Sequence, residues 1–161
     1  MAKRRSDVRD SERRRPLDAA RAAATERAIL ELSGELGYRQ VRVAALLARS
    51  ATNRSWFYSA YAGKPDCYAR AYAKTAEGLC EEVLDACRAA GGSATGVRAG
   101  MEVLSTFLAA EPTLARGLFA EARVVGGEAV TERNKIFERL SRGIGSACRE
   151  TAACDRREQR N

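Results

Sequence analysis

Apolar residues recur at helical spacing along most of this 161-residue chain, and the alternation of apolar and polar residues that marks a strand is absent. Ala24, Ala28, Leu32 and Leu36 recur at every fourth position, while charged residues fall mostly elsewhere. This is the pattern of an amphipathic helix. Because similar patterns continue to the C-terminal region, the sequence predicts an all-α fold.

Glycine, asparagine and proline divide this pattern into about seven helices, three short ones followed by four longer ones. Gly37 and Gly63 end the first and third helices. Asn53 is a good N-cap for the third, since its side-chain oxygen can accept from the free amides of a new helix. Pro65 is tolerated in the first turn of the fourth. The predicted helices run over residues 16–36, 41–48, 54–61, 64–90, 95–110, 112–125 and 128–151.

The net charge of +7 is concentrated in the first part of the chain. Residues 1–64 hold 14 Lys/Arg against 7 Asp/Glu, a difference of +7, whereas residues 65–161 hold 14 against 14, a difference of zero. A one-sided basic surface is typical of a nucleic-acid-binding domain, because neutralised phosphates release counterions. A solvated basic face without a partner is the alternative.

Several functional classes are disfavoured. No apolar stretch approaches the roughly 18 to 20 residues of a membrane span, and the N-terminus lacks the apolar run of a signal peptide, which predicts a cytoplasmic protein. The chain has no histidine, which is the usual general base and a common zinc ligand. With no glycine-rich phosphate loop or metal-ligand cluster either, we expect no enzyme activity, no metal and no cofactor.

The five cysteines form no CxxC pair, and their odd number does not suit a disulfide framework. We therefore expect reduced thiols that pack in the protein interior. Cys80 and Cys87 lie seven residues apart and share a helix face, which would also permit a redox sensor.

Composition and helix length together predict three regions. Residues 1–18 are rich in arginine and are predicted to form a disordered basic arm, which either reaches along DNA or only improves solubility. Residues 19–65 contain the short helices. Residues 66–161 contain the longer helices.

An ungapped set of positions runs through the three short helices and the start of the fourth. It comprises Gly37-Tyr38, Val43, Leu46, Asn53, Phe57-Tyr58, Tyr61 and Lys64. In order, these are a glycine-aromatic pair, two apolar helix positions, a helix cap, a second aromatic pair, a closing aromatic and a lysine. This pattern resembles the helix-turn-helix domain of the TetR family of bacterial transcription regulators. The segment from Phe107 to Ala122 is similar to the start of a regulatory domain found in many members.

The chain departs from that family at some positions. Val41 replaces a capping threonine, Ala51 replaces a turn glycine, Ala60 replaces a phosphate-binding histidine and Ser33 replaces a core phenylalanine. Family members also usually carry two more C-terminal helices, which form the dimer interface. The resemblance therefore implies a helix-turn-helix DNA-binding domain over residues 19–65 and a shortened ligand-binding and dimerisation domain over residues 66–161.

The resemblance implies a sequence-specific transcription regulator, by the family's default a repressor, that binds a double-stranded DNA operator as a homodimer. The helix over residues 54–61 would enter the major groove. The residues that would contact DNA are Arg42, Asn53, Arg54, Ser55, Trp56, Tyr58 and Lys64.

These residues have different expected roles. Arg54 can bond guanine bidentately or hold a phosphate, and Ser55 lets the backbone approach DNA or is a plain helix residue. Trp56 contacts a thymine methyl or sugar, or packs on the protein. Tyr58 and Lys64, together with Arg42 on the second helix, would bind phosphates.

In the C-terminal half, several apolar residues at helical spacing could surround a hydrophobic small-molecule effector. They are Tyr72, Met101, Leu104, Phe107 and Phe119. Ordinary core packing is the alternative. A different function is also open, in which a shortened regulator pairs with a full-length relative and holds it off DNA.

Overall fold

The computed structural model describes the backbone of residues 2–91 and 94–158, and the side chains of residues 16–91 and 94–146. These residues form eight α-helices and one 3₁₀ turn without a strand, so the all-α prediction is confirmed. In chain order the elements are α1 Ala2–Leu36, the 3₁₀ turn Tyr38–Gln40, α2 Val43–Arg49, α3 Arg54–Ala60, α4 Lys64–Ala89, α5 Ala94–Ala110, α6 Pro112–Phe119, α7 Ala122–Val125 and α8 Gly127–Glu158. Within the described chain, no helix is long and apolar enough to cross a membrane.

The segment predicted as one helix over 112–125 consists of two helices, α6 and α7. Between them, the carboxylate of Glu121 accepts a hydrogen bond from the backbone N–H of Tyr38 at 2.9 Å, and Ala122 is fully buried. These long-range contacts outweigh local helix propensity, which is a weak preference. The described residues therefore hold eight α-helices rather than about seven.

The first helix also differs from its prediction at the N-terminal end. Residues 1–18 were expected to form a disordered arm, whereas α1 begins at Ala2 and continues without a break to Leu36. Six of residues 1–18 are arginine, which is a good helix former. The side chains of residues 1–15 lie outside the described residues, so the proposed contacts of the arm stay a prediction.

Local signals in the sequence place the ends of the short helices. Gly37 follows α1 with φ of 84°, a left-handed conformation that glycine adopts without steric cost. Asn53 caps α3, since its Oδ1 accepts from the backbone N–H of Trp56 at 2.8 Å. Ala51 has φ of 50°, so the turn position where the resembled family often has glycine is indeed left-handed here.

Helix α4 is the centre of the molecule, because it packs against α1, α5 and α8. It buries residues on several faces, including Tyr68, Ala71 and Cys80, which are at most 1% exposed. Complete burial of one large apolar side chain contributes about 1.5–3 kcal/mol relative to an exposed one. This helix therefore supports most of the tertiary structure.

Three cysteines of α4 are buried free thiols, as expected for packing residues: Cys67, Cys80 and Cys87. Burial raises the pKa of Cys67 to about 12, which keeps this thiol protonated at neutral pH. The side chains of Cys148 and Cys154 lie outside the described residues.

Helices α1 and α6 cross with their backbones in direct contact. A Cβ atom at Gly34 would collide with the carbonyl oxygen of Thr113, and one at Gly117 would collide with the carbonyl oxygen of Leu30. At the same crossing, the Tyr68 hydroxyl donates a hydrogen bond to the Gly117 carbonyl at 2.6 Å. Only glycine allows the backbones of α1 and α6 to meet so closely.

Substitution of Gly117 by alanine should therefore destabilise the protein, because the new methyl group must push α1 and α6 apart. We expect a loss of about 1–3 kcal/mol in the free energy of unfolding, the usual cost of overpacking. The measurement is urea unfolding followed by circular dichroism at 222 nm.

The matched control is Gly78→Ala, since a Cβ at Gly78 in the middle of α4 meets nothing within 4 Å. This variant should be as stable as the parent or gain up to about 1 kcal/mol from better helix propensity. Equal stability of the Gly117 and Gly78 variants would show that the crossing has room for a side chain.

Candidate nucleic-acid interface

Buried apolar residues fix the two short helices on the rest of the protein. Leu46 of α2 and Phe57 of α3 are both 0% exposed, and Val43 and Leu47 pack beside them. The turn between the helices is closed by Ser50, whose hydroxyl donates to the Leu46 carbonyl at 2.9 Å. Both helices are therefore held in fixed positions despite having only seven residues each.

The burial of Phe57 turns its neighbours on α3 toward solvent. Arg54 and Ser55 are exposed at the start of this helix, and Tyr58 is 52% exposed. Asn53 is also exposed, and its cap uses only the side-chain oxygen, so the amide group can still donate. These four residues predicted to contact DNA lie at the surface.

Arg42 occupies the N-cap position of α2 and is exposed. Among the described side chains, neither Arg42 nor Arg54 has a hydrogen-bond or ion-pair partner. Arg39, in the 3₁₀ turn, is likewise exposed without a partner. Sequence reasoning missed Arg39 because it considered residues on helices, whereas the signal is a basic residue in the short connection before α2.

Other cations nearby are neutralised. Arg49 forms a bidentate pair with Glu35, with contacts of 3.0 and 2.9 Å, and this hydrogen bonding lowers the pKa of Glu35. Arg27 pairs with Glu31 at 2.7 Å and with Glu111 at 2.8 Å. Among the described side chains of residues 16–64, the arginines without a partner are thus confined to residues 39–54.

Trp56 does not project away from the protein as one interpretation of the sequence expected. The indole is half-buried against the core, and its Nε1 donates a hydrogen bond to the Asp18 carboxylate at 3.0 Å. Its ring also meets Tyr61 edge-on, with centroids 6.1 Å apart. A long-range polar partner on α1 decides this orientation, so the structure favours the packed alternative.

Lys64 also differs from its predicted role as a phosphate ligand. Its Nζ donates to the carbonyl oxygens of Tyr38 at 3.0 Å and Val41 at 2.9 Å, and it lies 4.2 Å from the centre of the Tyr38 ring. Burial lowers the pKa of this amine. Lys64 therefore ties the start of α4 to the segment that precedes α2, and its charge is directed inward.

Four of the five residues predicted to bind an effector surround one cavity between α4, α5, α6 and α8. These are Tyr72, Met101, Leu104 and Phe119, and the cavity has a volume of about 270 Å³. Its wall is almost entirely apolar. Tyr72 is 2% exposed, and its hydroxyl has no hydrogen-bond partner among the described residues.

Phe107 is the exception. It lines a separate groove of about 360 Å³ between α1, α4, α5 and α6, together with Ala23 and Leu114. Sequence reasoning placed Phe107 with Leu104 because both are apolar and one helical turn apart. In the structure, Phe107 lines the groove and Leu104 lines the cavity. It also missed the contribution of α8 to the cavity wall, which comes from Ile136, Phe137, Leu140 and Ile144.

No metal-ligand cluster occurs among the described residues. Comparison with models of known protein families, with curated proteins and with solved structures gives no match to this chain.

The inward bonding of Lys64 predicts a structural effect of its removal. Lys64→Met keeps the aliphatic stem but leaves two carbonyl oxygens without their donor, and hydrogen bonds to charged groups are worth about 1.5–3 kcal/mol. Because the site is partly open to solvent, we expect a loss of about 1–3 kcal/mol of unfolding free energy in urea titrations.

Lys74→Met is the control, since the Lys74 side chain is 66% exposed in its pair with Glu26. An exposed pair of this kind contributes about 0–1 kcal/mol. If Lys64→Met were as stable as Lys74→Met, the two carbonyl contacts would not hold the turn in place.

Proposed function

We propose that this chain is a sequence-specific DNA-binding transcription regulator of the TetR type, and that it represses until an apolar effector binds. The proposal is carried by three exposed guanidinium groups of the short-helix region that have no partner among the described residues, those of Arg39, Arg42 and Arg54. Guanidinium groups suit phosphates and guanine edges, since their fixed donors can bond two acceptors at once. Their positions, in the connection before α2 and at the start of α3, fit a helix-turn-helix surface.

On this proposal, α3 enters the major groove with its exposed side. Arg54 and Ser55 at the start of the helix reach base edges, and Tyr58 contacts the sugar-phosphate backbone. Arg39 and Arg42 bind phosphates and supply the salt-dependent part of the affinity. Trp56 and Lys64 act indirectly, because they hold α3 and α4 to α1 and to the 3₁₀ turn.

The apolar cavity is the proposed effector site. Its wall favours a neutral, hydrophobic molecule, and the Tyr72 hydroxyl provides one polar contact. Helix α6 connects this site to the DNA-binding region, since Leu118 and Phe119 line the cavity while Gly117 packs against α1. An effector that binds one arrangement of α6 more tightly would change the affinity for DNA. DNA would change the affinity for the effector by the same factor, because the coupling between two sites is reciprocal.

Recognition of a symmetric operator requires two DNA-binding domains. An exposed apolar face of this chain supports pairing with a second copy. Val97, Met101, Leu104 and Leu108 form one stripe along α5, and three of them are 36–54% exposed. Phe137 of α8, which is 46% exposed, lines the same cavity as Met101. Large exposed apolar patches usually mark interaction sites.

Charge also favours a second copy at this face. Residues 65–161 have 14 basic and 14 acidic residues, so two copies of this region do not repel each other. Both basic and acidic residues lie beside the stripe, in the ion pairs of Arg98 with Glu102 and Arg139 with Glu81. Across a two-fold axis, basic residues of one copy can therefore face acidic residues of the other.

The same exposed face supports one alternative function. A chain that does not pair with itself could pair with a longer relative and prevent that relative from binding DNA. The alternative requires a monomeric chain that binds DNA only weakly.

Arg54→Ala and Arg42→Ala should change DNA binding in different ways. The measurement is fluorescence anisotropy of the full chain titrated onto the duplex that flanks its own gene and onto a scrambled duplex, at two salt concentrations. Arg54→Ala should cost about 1–3 kcal/mol on the preferred duplex and relax preference at one base position. Arg42→Ala should weaken binding to both duplexes equally and reduce the salt slope by about one.

Arg116→Ala is the control, because Arg116 of α6 is also an exposed arginine without a described partner but lies outside the short helices. It should bind both duplexes like the parent. Equal, salt-sensitive binding of the parent to both duplexes would contradict a sequence-specific regulator.

Met101→Asp should break the proposed pairing, because it places a charge in the apolar face. Sedimentation equilibrium should show a dimer for the parent chain and a monomer for this variant. Thr106→Asp on the opposite side of α5 is the control and should remain dimeric. A strictly monomeric parent chain would exclude self-pairing and favour the protein-contact alternative.

A further inference from the structure

The groove that contains Phe107 is distinct from the DNA-facing surface and shares only Leu79 with the lining of the apolar cavity. It lies between α1, α4, α5 and α6 and has a volume of about 360 Å³. This is at the lower end of the range of about 300–1,000 Å³ for small-molecule sites. Its floor is apolar, with Leu79 and Phe107, and its rim is polar, which suits an amphipathic molecule.

Gly78 keeps the groove open. At other glycines in the helices, such as Gly34, Gly96 and Gly117, an added Cβ would collide with a neighbouring backbone. At Gly78 it would meet nothing within 4 Å, although glycine in the middle of α4 weakens the helix. No packing contact therefore explains this glycine, and its effect is to leave space in the floor of the groove.

Most charged groups on the rim are already paired. Lys74 contacts Glu26 at 3.2 Å, and Arg27 contacts Glu111 at 2.8 Å. The exception is Glu82, whose exposed carboxylate has no partner among the described residues. The groove therefore offers a free negative charge and no free positive charge within the described structure.

Thr75 lies on the same face of α4 as Glu82, seven residues apart, with Gly78 and Leu79 between them. Its hydroxyl likewise has no hydrogen-bond partner among the described side chains and backbone. One helix face thus presents a carboxylate, a hydroxyl and an apolar floor in a row.

We propose that this groove binds a small organic amine with an apolar body. The protonated amine pairs with the Glu82 carboxylate, while the apolar body extends along α4 toward Thr75 and covers Leu79 and the Phe107 ring. Carboxylate ligands are disfavoured, because they would bring a second negative charge to Glu82. Amine binding in this groove does not require that the protein binds DNA.

The test is a titration of the ¹⁵N-labelled full chain with 2-phenylethylammonium, followed by NMR. The Gly78 amide should shift and saturate with the probe, whereas 3-phenylpropionate of similar size should cause little change. Glu82→Gln should weaken amine binding about twofold to fivefold, the range expected for an exposed ion pair. Gly78→Leu, which fills the open space, should abolish it.

Glu81→Gln is the matched control, because Glu81 is the neighbouring acid but pairs with Arg139 outside the groove. It should bind the amine like the parent. Thermal melts should show that the Glu82 and Gly78 variants remain folded. Weaker amine binding by these variants then results from the change in the groove and not from unfolding. The proposal is wrong if the carboxylate binds as tightly as the amine, if Glu81→Gln and Glu82→Gln weaken binding equally, or if Gly78→Leu still binds.

Discussion

The backbone contact between α1 and α6 is the constraint on which the rest of the structure depends. Gly34 and Gly117 bring the two helices together without intervening side chains, and the Tyr68 hydroxyl of α4 bonds the Gly117 carbonyl at the same point. Helix α1 carries the core of the short-helix region, and α6 carries part of the cavity wall. A displacement of α6 therefore cannot be absorbed by soft side chains at this crossing, because closely packed interiors transmit strain.

The ends of the short helices could be predicted from the sequence because their signals are local. Gly37 and Asn53 act on amides and carbonyls within a few residues, so the positions of α2, α3 and α4 follow from the chain itself. The interruption between α6 and α7 has no such signal. It accompanies a hydrogen bond between Glu121 and Tyr38, which are 83 residues apart.

The same distinction applies to the candidate site. The exposure of Arg54, Ser55 and Tyr58 could be predicted, since it follows from the burial of Phe57 on a short helix. The inward orientation of Trp56 and Lys64 could not, because their partners, Asp18 and two backbone carbonyls, lie 23 to 38 residues away. An aromatic or basic residue has the same appearance in sequence whether its partner is DNA or the protein itself.

The distribution of ion pairs shows which of the basic residues in the first part of the chain are neutralised by carboxylates and which are not. Carboxylates of α1 neutralise Arg27 and Arg49, and Glu26 contacts Lys74. None of the described carboxylates reaches Arg39, Arg42 or Arg54. Net charge alone does not distinguish a solvated basic face from a binding surface, since both give the same count. Unpaired guanidinium groups beside paired ones in the same region are better evidence, because α1 provides carboxylates to Arg27 and Arg49 yet leaves these three available to an external anion.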